Sequence, residues 1–573
     1  MLSLCLTMGT ALYANYTGRV YVDQNRNGRY DRGETTLSGV MVTDGLHVVK
    51  TNEQGLFDLP GHENARFITV TTPNGYKPAD VHYLPIKEGV ESYDLGLLKW
   101  ERADSNGKHS FIQITDTEIR DESPEHKLWA HNVRDYAQNE KSAFVIHTGD
   151  ICYEGGLKAH IKLMNSKNMG VPMYYTIGNH DLVKGDYGEQ LFESIYGPVW
   201  YSFNYGNVHY IVTPMPGGDH LPSYREKDVY AWLKNDLAHI NPKTPIVVFN
   251  HDLLSNNEEF VYKKDLENRL VLNKEYNLKA WLYGHWHNHF VRMQGDVKTI
   301  STATLDKGGI DHSTSAYRVM QVDGKGNMET QLRYAYINKH VKIASIANER
   351  AALNPSKKGI LELVVNSYYS DAETKSVSYK ITSSEQKVVM TQAMKRKTDW
   401  TWHSSLNIPK RHDGEMLFVE VVAQFSDGTS ASAKEAFVFN SSQKFDLQPT
   451  KDWTNLLENS SHVATKDNND VKFPLHLSWV KNVAGNLFMS SPIVYNGNVY
   501  VATVDEELRG EGAVIGLDGK TGEQLWRYQT RNSVKNTIVA EAGNIYAQDA
   551  EGYLYAINAK TGMARKYTTR KSW

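Results

Sequence analysis

Five short stretches of this chain carry side chains that suit metal chemistry. They are Ile114-Thr115-Asp116-Thr117-Glu118, Thr148-Gly149-Asp150, Ile177-Gly178-Asn179-His180-Asp181, Phe249-Asn250-His251 and Gly284-His285-Trp286-His287. Together they offer carboxylates, an amide oxygen and imidazoles. Mixed oxygen and nitrogen donors of this kind suit Mn, Fe, Zn or Ni. Two neighbouring cations need an anionic ligand between them, and Asp150 is the natural bridge. Gly149, Gly178 and Gly284 precede donors and are expected to let the backbone turn tightly. Each stretch alone is common by chance; five in this order, each after a strand, are not.

Something must bring these stretches together. From His109 to about Tyr334, buried-looking strands (Ser110–Thr115, Ala143–His147, Pro172–Thr176, Thr244–Phe249 and Lys279–Tyr283) alternate with helical or loop segments. That alternation predicts an α/β layered domain over residues 104–336. Strand ends on one sheet edge converge, so distant loops can build one site. Residues 16–100 and 342–447 read instead as short strands punctuated by turns, which predicts a β-sandwich on either side of the α/β domain. Residues 475–573 repeat themselves: Leu517-Asp518-Gly519-Lys520-Thr521-Gly522 is echoed by Ile557-Asn558-Ala559-Lys560-Thr561-Gly562. A period in the 40s built of short strands predicts propeller blades, here a partial set. The repeat resembles quinoprotein-type propellers through Asp518, Thr521, Gly522 and Trp526; the second copy departs from it with Asn558 and no tryptophan.

The order Asp, Gly-Asp, Gly-Asn-His-Asp, His, Gly-His-x-His is similar to that of the calcineurin-like metallophosphoesterase superfamily, and the flanking β modules resemble a secreted bacterial branch of it. The resemblance implies an α/β sandwich of two mixed β-sheets flanked by helices. It implies one metal held by Asp116, Asp150 and His287 and another held by Asp150, Asn179, His251 and His285, with His180 beside the scissile phosphate. Glu118 stands where the first motif usually has histidine. It either joins the first metal site as an oxygen donor, favouring Mn²⁺, or turns away. Two cations acidify a bridging water and clamp phosphate oxygens for in-line attack, so the expected reaction is hydrolysis of a phosphomonoester or phosphodiester. His180 is the candidate acid for the leaving oxygen, with Asp181 as the carboxylate that orients it.

Asp23, Asn25, Asn27, Asp31 and Glu34 match a calcium-loop spacing with Gly28 at its sixth position, a candidate structural Ca²⁺ site. His220 and His312 lie in glycine-rich loops and are candidate pocket-lining residues. The chain has 573 residues with a formal net charge of -3, which gives no basic field and argues against nucleic acid as a partner. The expected partner is a small phosphorylated substrate or an envelope phosphoester. Residues 1–15 read as a signal-peptide-like segment, implying export to the periplasm or cell surface, and no stretch is apolar enough to span a bilayer. A competing reading makes the chain a surface binding protein with the phosphoesterase fold as scaffold. Its domain should then have lost several ligands, yet only the Glu118 position deviates.

Overall fold

The computed structural model describes residues 15–568 apart from 91, 256, 446, 448–450, 463–472, 506 and 508–511. The signal-peptide-like segment therefore lies, but for its last residue, outside the described residues. So do residues 463–470 of the polar stretch from Glu458 to Asp470 that precedes the repeats. The chain forms two compact units, residues 1–333 and 334–573. Among the described residues, no helix is long and apolar enough to cross a membrane.

The first unit opens with a β-sandwich. One sheet orders Leu56–Leu59, Tyr16–Val22, Leu95–Lys99 and Tyr76–Pro78; the other orders Val48–Lys50, Met41–Thr43, Phe67–Val70 and Tyr83–Pro85. Val20, Val42, Phe57, Leu59, Ile68 and Leu97 fill the space between them, as alternation along half-buried strands requires.

The α/β part carries the two mixed sheets. The first orders Met173–Tyr175, Val145–His147, His109–Ile114, Ala316–Val322 and Met328–Tyr334. Its first three strands run parallel, and Ala316–Val322 pairs antiparallel with His109–Ile114. The second orders Tyr201–Tyr205, Val208–Val212, Pro245–Phe249, Asn277–Tyr283, Val297–Ser301 and Phe290–Gln294. Its inner strands are parallel and its outer pairs antiparallel.

The period-2 pattern sorts these strands between two cores. Val208, Tyr210 and Val212 join Phe111, Phe144 and Phe249 between the sheets. Ile211, Ile246, Val248 and Trp281 pack instead with Val229, Trp232 and Leu233 of helix Glu226–Leu237. The inter-sheet core is largely aromatic: Phe111 stacks on Phe144 at 4.6 Å and Tyr174 on Phe203 at 3.9 Å between ring centroids. Helix Pro124–Asn139 begins with proline in its first turn and with the Ser123 hydroxyl accepting the His126 N–H, which satisfies one of the amides a helix start leaves open.

The sandwich is fixed to the α/β part by polar contacts. Asn204 N–H donates to Thr72 O at 2.8 Å and the Trp200 indole N–H to Gly45 O at 2.9 Å. The Arg66 guanidinium reaches Glu189 at 3.1 Å and Glu193 at 2.8 Å. Both carboxylates are buried, and burial, against the pull of Arg66, pushes Glu193 up to about 7. Arg66→Ala strands two acidic groups without their cation and is expected to cost about 3 kcal/mol. Urea unfolding of the full chain at pH 8 reads this as a lowered midpoint, and an unchanged midpoint there contradicts it.

The second unit holds a sandwich and two blades. The sandwich pairs His340–Ile343, Leu361–Tyr368, Thr401–Leu406 and Lys395–Arg396 in one sheet; the other holds Val388–Ala393, Thr374–Ser383, Met416–Phe425 and Ser430–Val438. Each blade is a four-stranded antiparallel meander, Ile493–Tyr495 to Gln524–Gln529 and Val539–Glu541 to Ala564–Thr568. Asp518 Oδ1 accepts from the backbone and hydroxyl of Thr521, and Asn558 Oδ1 accepts the same pair from Thr561. An amide oxygen replaces the carboxylate without loss, which is why the second repeat tolerates asparagine. Trp479 covers Gly522 and Trp526 covers Gly562 so closely that a β-carbon at either glycine would meet the indole within 3 Å.

Candidate metal centre

The five donor stretches follow His109–Ile114, Val145–His147, Met173–Tyr175, Pro245–Phe249 and Asn277–Tyr283, the strands predicted to carry them. Asp116, Asp150 and His251 are buried, whereas Asn179, His285 and His287 are partly open. The backbone bends sharply at the donors. Asp116 (φ 48°), Glu118 (41°), Asp150 (53°), His285 (62°) and His287 (48°) all adopt left-handed conformations, which non-glycine residues adopt only where the surrounding structure holds them.

Of the three glycines, only Gly149 uses a left-handed turn, with φ 94°. The expectation for the other two is corrected: Gly178 and Gly284 matter for close approach, not for turning. A β-carbon on Gly178 would lie 2.2 Å from Asp150 Oδ1, and one on Gly284 2.2 Å from Asp116 Oδ2.

Two donor groups share one residue. Asp116, Asp150 and His287 offer ligand atoms all within 4.8 Å of one another, and so do Asp150, His251 and His285. Asn179 Oδ1 lies 3.1 Å from His251 Nε2, which is also 3.1 Å from Asp150 Oδ2. The inner faces are held from behind. Thr115 Oγ1 donates to Asp116 Oδ2 at 2.6 Å, and His180 N–H donates to Asp150 Oδ1 at 2.9 Å. His251 Nδ1 donates to Thr148 O at 2.8 Å, which points Nε2 toward the side of Asp150, where its lone pair could serve a cation. Burial works against a charge on His251, but Asp150 and Asp116 outweigh it and push its pKa up to about 10. Carboxylates that draw a proton this strongly onto a buried imidazole mark a place built for positive charge. The donor set and its spacing thus fit divalent cations.

The remaining predicted residues divide. Asp181 does not orient His180: it is fully buried and accepts the N–H groups of Cys152 at 2.8 Å and Gly178 at 2.9 Å. Its carboxylate therefore ties two donor loops together from below. Burial, with Asp150 beside it, pushes Asp181 up to about 7. The carboxylate on His180 is Asp219, whose Oδ2 lies 2.9 Å from His180 Nδ1. Asp219 lies in Gly217-Gly218-Asp219-His220, where no motif marks it as a partner of His180. Its signal was only that a glycine pair lets this loop close on Asn179, whose carbonyl accepts the Asp219 N–H at 3.0 Å. His220 and His312 are both exposed.

Glu118 turns inward. Its Oε1 lies 3.4 Å from His287 Nε2 and its Oε2 3.0 Å from Lys307 Nζ. Lys307 was not anticipated, because nothing in its local sequence ties it to the first motif 189 positions earlier.

In the loop from Asp23 to Glu34, Asp23 accepts the N–H groups of Asn27 and Gly28, and Glu34 accepts those of Gln24 and Asp31. The Asn25 and Asn27 amides both donate to Asp31 Oδ2. The five candidate calcium ligands meet in one loop, with their carboxylates engaged by the loop's own donors.

Three family models match separate stretches of the chain. Residues 24–96 match the family model described as the N terminal of Calcineurin-like phosphoesterase, residues 94–289 the Calcineurin-like phosphoesterase model, and residues 476–570 the model described as Outer membrane protein assembly factor BamB. The assembly factor BamB of Burkholderia pseudomallei is 38% identical over 91 residues, which make up 15% of this chain and 22% of that protein. The chain thus spans about a fifth of the curated relative it matches. Among solved structures, GAP50 of Plasmodium is 14% identical with a TM-score of 0.25, covering 51% of this chain and 90% of that one. An archaeal phosphodiesterase is 13% identical with a TM-score of 0.22, covering 39% and 99%. Residues 24–289 thus carry the N-terminal and catalytic domains described for calcineurin-like phosphoesterases, and residues 476–570 carry BamB-type repeats.

Proposed function

We propose that this chain hydrolyses phosphomonoesters or phosphodiesters at a pair of divalent cations. The observation that carries the reading is the pair of donor groups that meet at Asp150. Asp116, Asp150 and His287 would hold one cation; Asp150, Asn179, His251 and His285 would hold the other, and the carboxylate-rich first group, with Glu118 beside it, would favour Mn²⁺ slightly. When bound, such a pair acidifies a water and neutralises the phosphate oxygens.

The chain's own residues do the rest. Asp150 is held by the His180 N–H on one oxygen and faces His251 with the other. His180, held at Nδ1 by Asp219, keeps Nε2 for the substrate and gives its proton to the departing alkoxide. The water oxygen gives its proton to solvent and bonds to phosphorus, the P–O ester bond breaks, and the alcohol leaves with the proton from His180, which regains one from solvent. Lys307 compensates the extra negative charge that Glu118 brings to the first group. The substrate is a small phosphorylated compound or an envelope phosphoester met outside the cytoplasm, an exported setting supported by the BamB-type repeats.

The test is turnover of p-nitrophenyl phosphate and bis(p-nitrophenyl) phosphate by metal-stripped protein before and after Mn²⁺ is restored. Calorimetry counts the ions bound. Turnover that returns with about two Mn²⁺ per chain is expected; a chain that binds no metal overturns the reading.

A further inference from the structure

Among the described residues between 104 and 333, seven large apolar side chains are exposed, and four of the seven lie on loops that carry or touch residues of the metal centre. Tyr153 is 46% exposed, with its ring 5.5 Å from that of His180. Leu221, 86% exposed, follows two residues after Asp219, which holds His180. Trp286, 36% exposed, stands between His285 and His287, and its indole N–H is fixed by Asp252 at 3.1 Å. Ile310, 72% exposed, donates its N–H to His287 O at 2.8 Å.

These four come from four separate loops, and each loop is tied to a residue of the centre. Exposed apolar side chains scattered singly need no explanation, but a cluster around a reactive centre does. A binding surface for another protein has no reason to be centred on metal donors. The occupant that does share that centre is the substrate itself. From this geometry we infer that the substrate is amphiphilic, a phosphoester whose alcohol carries a hydrocarbon chain of several carbons. The phosphate lies at the donor groups and His180, and the chain lies across Tyr153, Trp286, Leu221 and Ile310. This rests on the phosphoesterase reading above and adds the substrate class to it.

The test uses the full chain loaded with Mn²⁺ and a series of p-nitrophenyl alkyl phosphates from ethyl to octyl. Burying even part of six added methylenes raises kcat/KM about tenfold or more. That rise is expected in the wild type and is expected to shrink severalfold in Leu221→Ser/Ile310→Ser. A flat series in an enzyme that turns over the ethyl ester overturns the inference and leaves the hydrolase reading standing. Failure on every member of the series and on p-nitrophenyl phosphate overturns the hydrolase reading instead. Calorimetry of ethyl and octyl phosphate on the Mn²⁺-loaded His180→Ala protein then still decides the inference: tighter octyl binding supports it, and equal affinities overturn it. Co-sedimentation with phosphatidylcholine vesicles containing phosphatidic acid separates a substrate taken from a bilayer from one taken as a free amphiphile. Hydrolysis of vesicle lipid identifies the first source, and hydrolysis of only the soluble dihexanoyl lipid the second.

Discussion

Asp150→Asn is expected to lower kcat at least about a thousandfold and to leave the chain binding fewer than two metal ions. Asp150 is the one residue common to both donor groups. An amide in its place keeps the shape and removes the charge that lets one side chain serve two cations. It also removes the main partner of His251, whose pKa of about 10 should fall. The backbone hydrogen bond from His180 N–H is one that asparagine can still accept. Metal counting by calorimetry beside steady-state rates checks the result. An Asp150→Asn protein that binds two ions and turns over normally removes Asp150 from the centre.

His180→Ala is expected to lower kcat by about a thousandfold with metal content unchanged, within the range that general acids supply. The effect should depend on how good the leaving group is. An alcohol that leaves poorly needs a proton, whereas nitrophenolate does not, so the loss should be greatest on alkyl esters. Asp219→Asn should act through His180 and be visible in the pH profile. Burial disfavours a charge on His180, but the hydrogen bond to Asp219 and the charge of Asp150 hold its pKa above the ordinary histidine value. A group that must be protonated loses its function as pH rises through its pKa. Removing the Asp219 charge therefore moves the alkaline limb of kcat to lower pH, while Asp219→Glu should restore it in part. A limb that stays in place in Asp219→Asn takes the acid role away from this pair.

Much of the fold could be read from the sequence because it is written in period. Strands such as Pro245–Phe249 and Asn277–Tyr283 are buried on both faces and read as apolar runs, and the donor motifs sit where those runs stop. The propeller blades announced themselves through Thr521-Gly522 and Thr561-Gly562. What the sequence could not convey were contacts between residues far apart along the chain. Lys307 meets Glu118 across 189 positions, and Asp219 meets His180 across 39. No local pattern encodes either. Asp181 misled for the opposite reason: adjacency in sequence implied adjacency of side chains, but a carboxylate one residue along the loop points to the other side, into Cys152 and Gly178 N–H groups. The apolar edge of Tyr153, Leu221, Trp286 and Ile310 was equally silent, since a single apolar residue in a loop carries no period.

The left-handed turns at the centre also restrict which amino acids those positions can hold. Among side chains, asparagine, aspartate and histidine tolerate positive φ best after glycine, and β-branched residues tolerate it worst. Asp116, Asp150, His285 and His287 all come from that short set. The set nearly coincides with the alphabet of oxygen and nitrogen metal donors. Backbone shape alone therefore screens the residues that mutation can offer, and passes mainly those able to bind a cation. A centre placed on such turns can exchange one donor for another, carboxylate for imidazole, with little change in loop geometry. Glu118, at φ 41°, is the one member outside that favoured set, so it is the position where histidine or asparagine would relieve the backbone most. Drift at this centre should change which metal is preferred long before it removes the metal site.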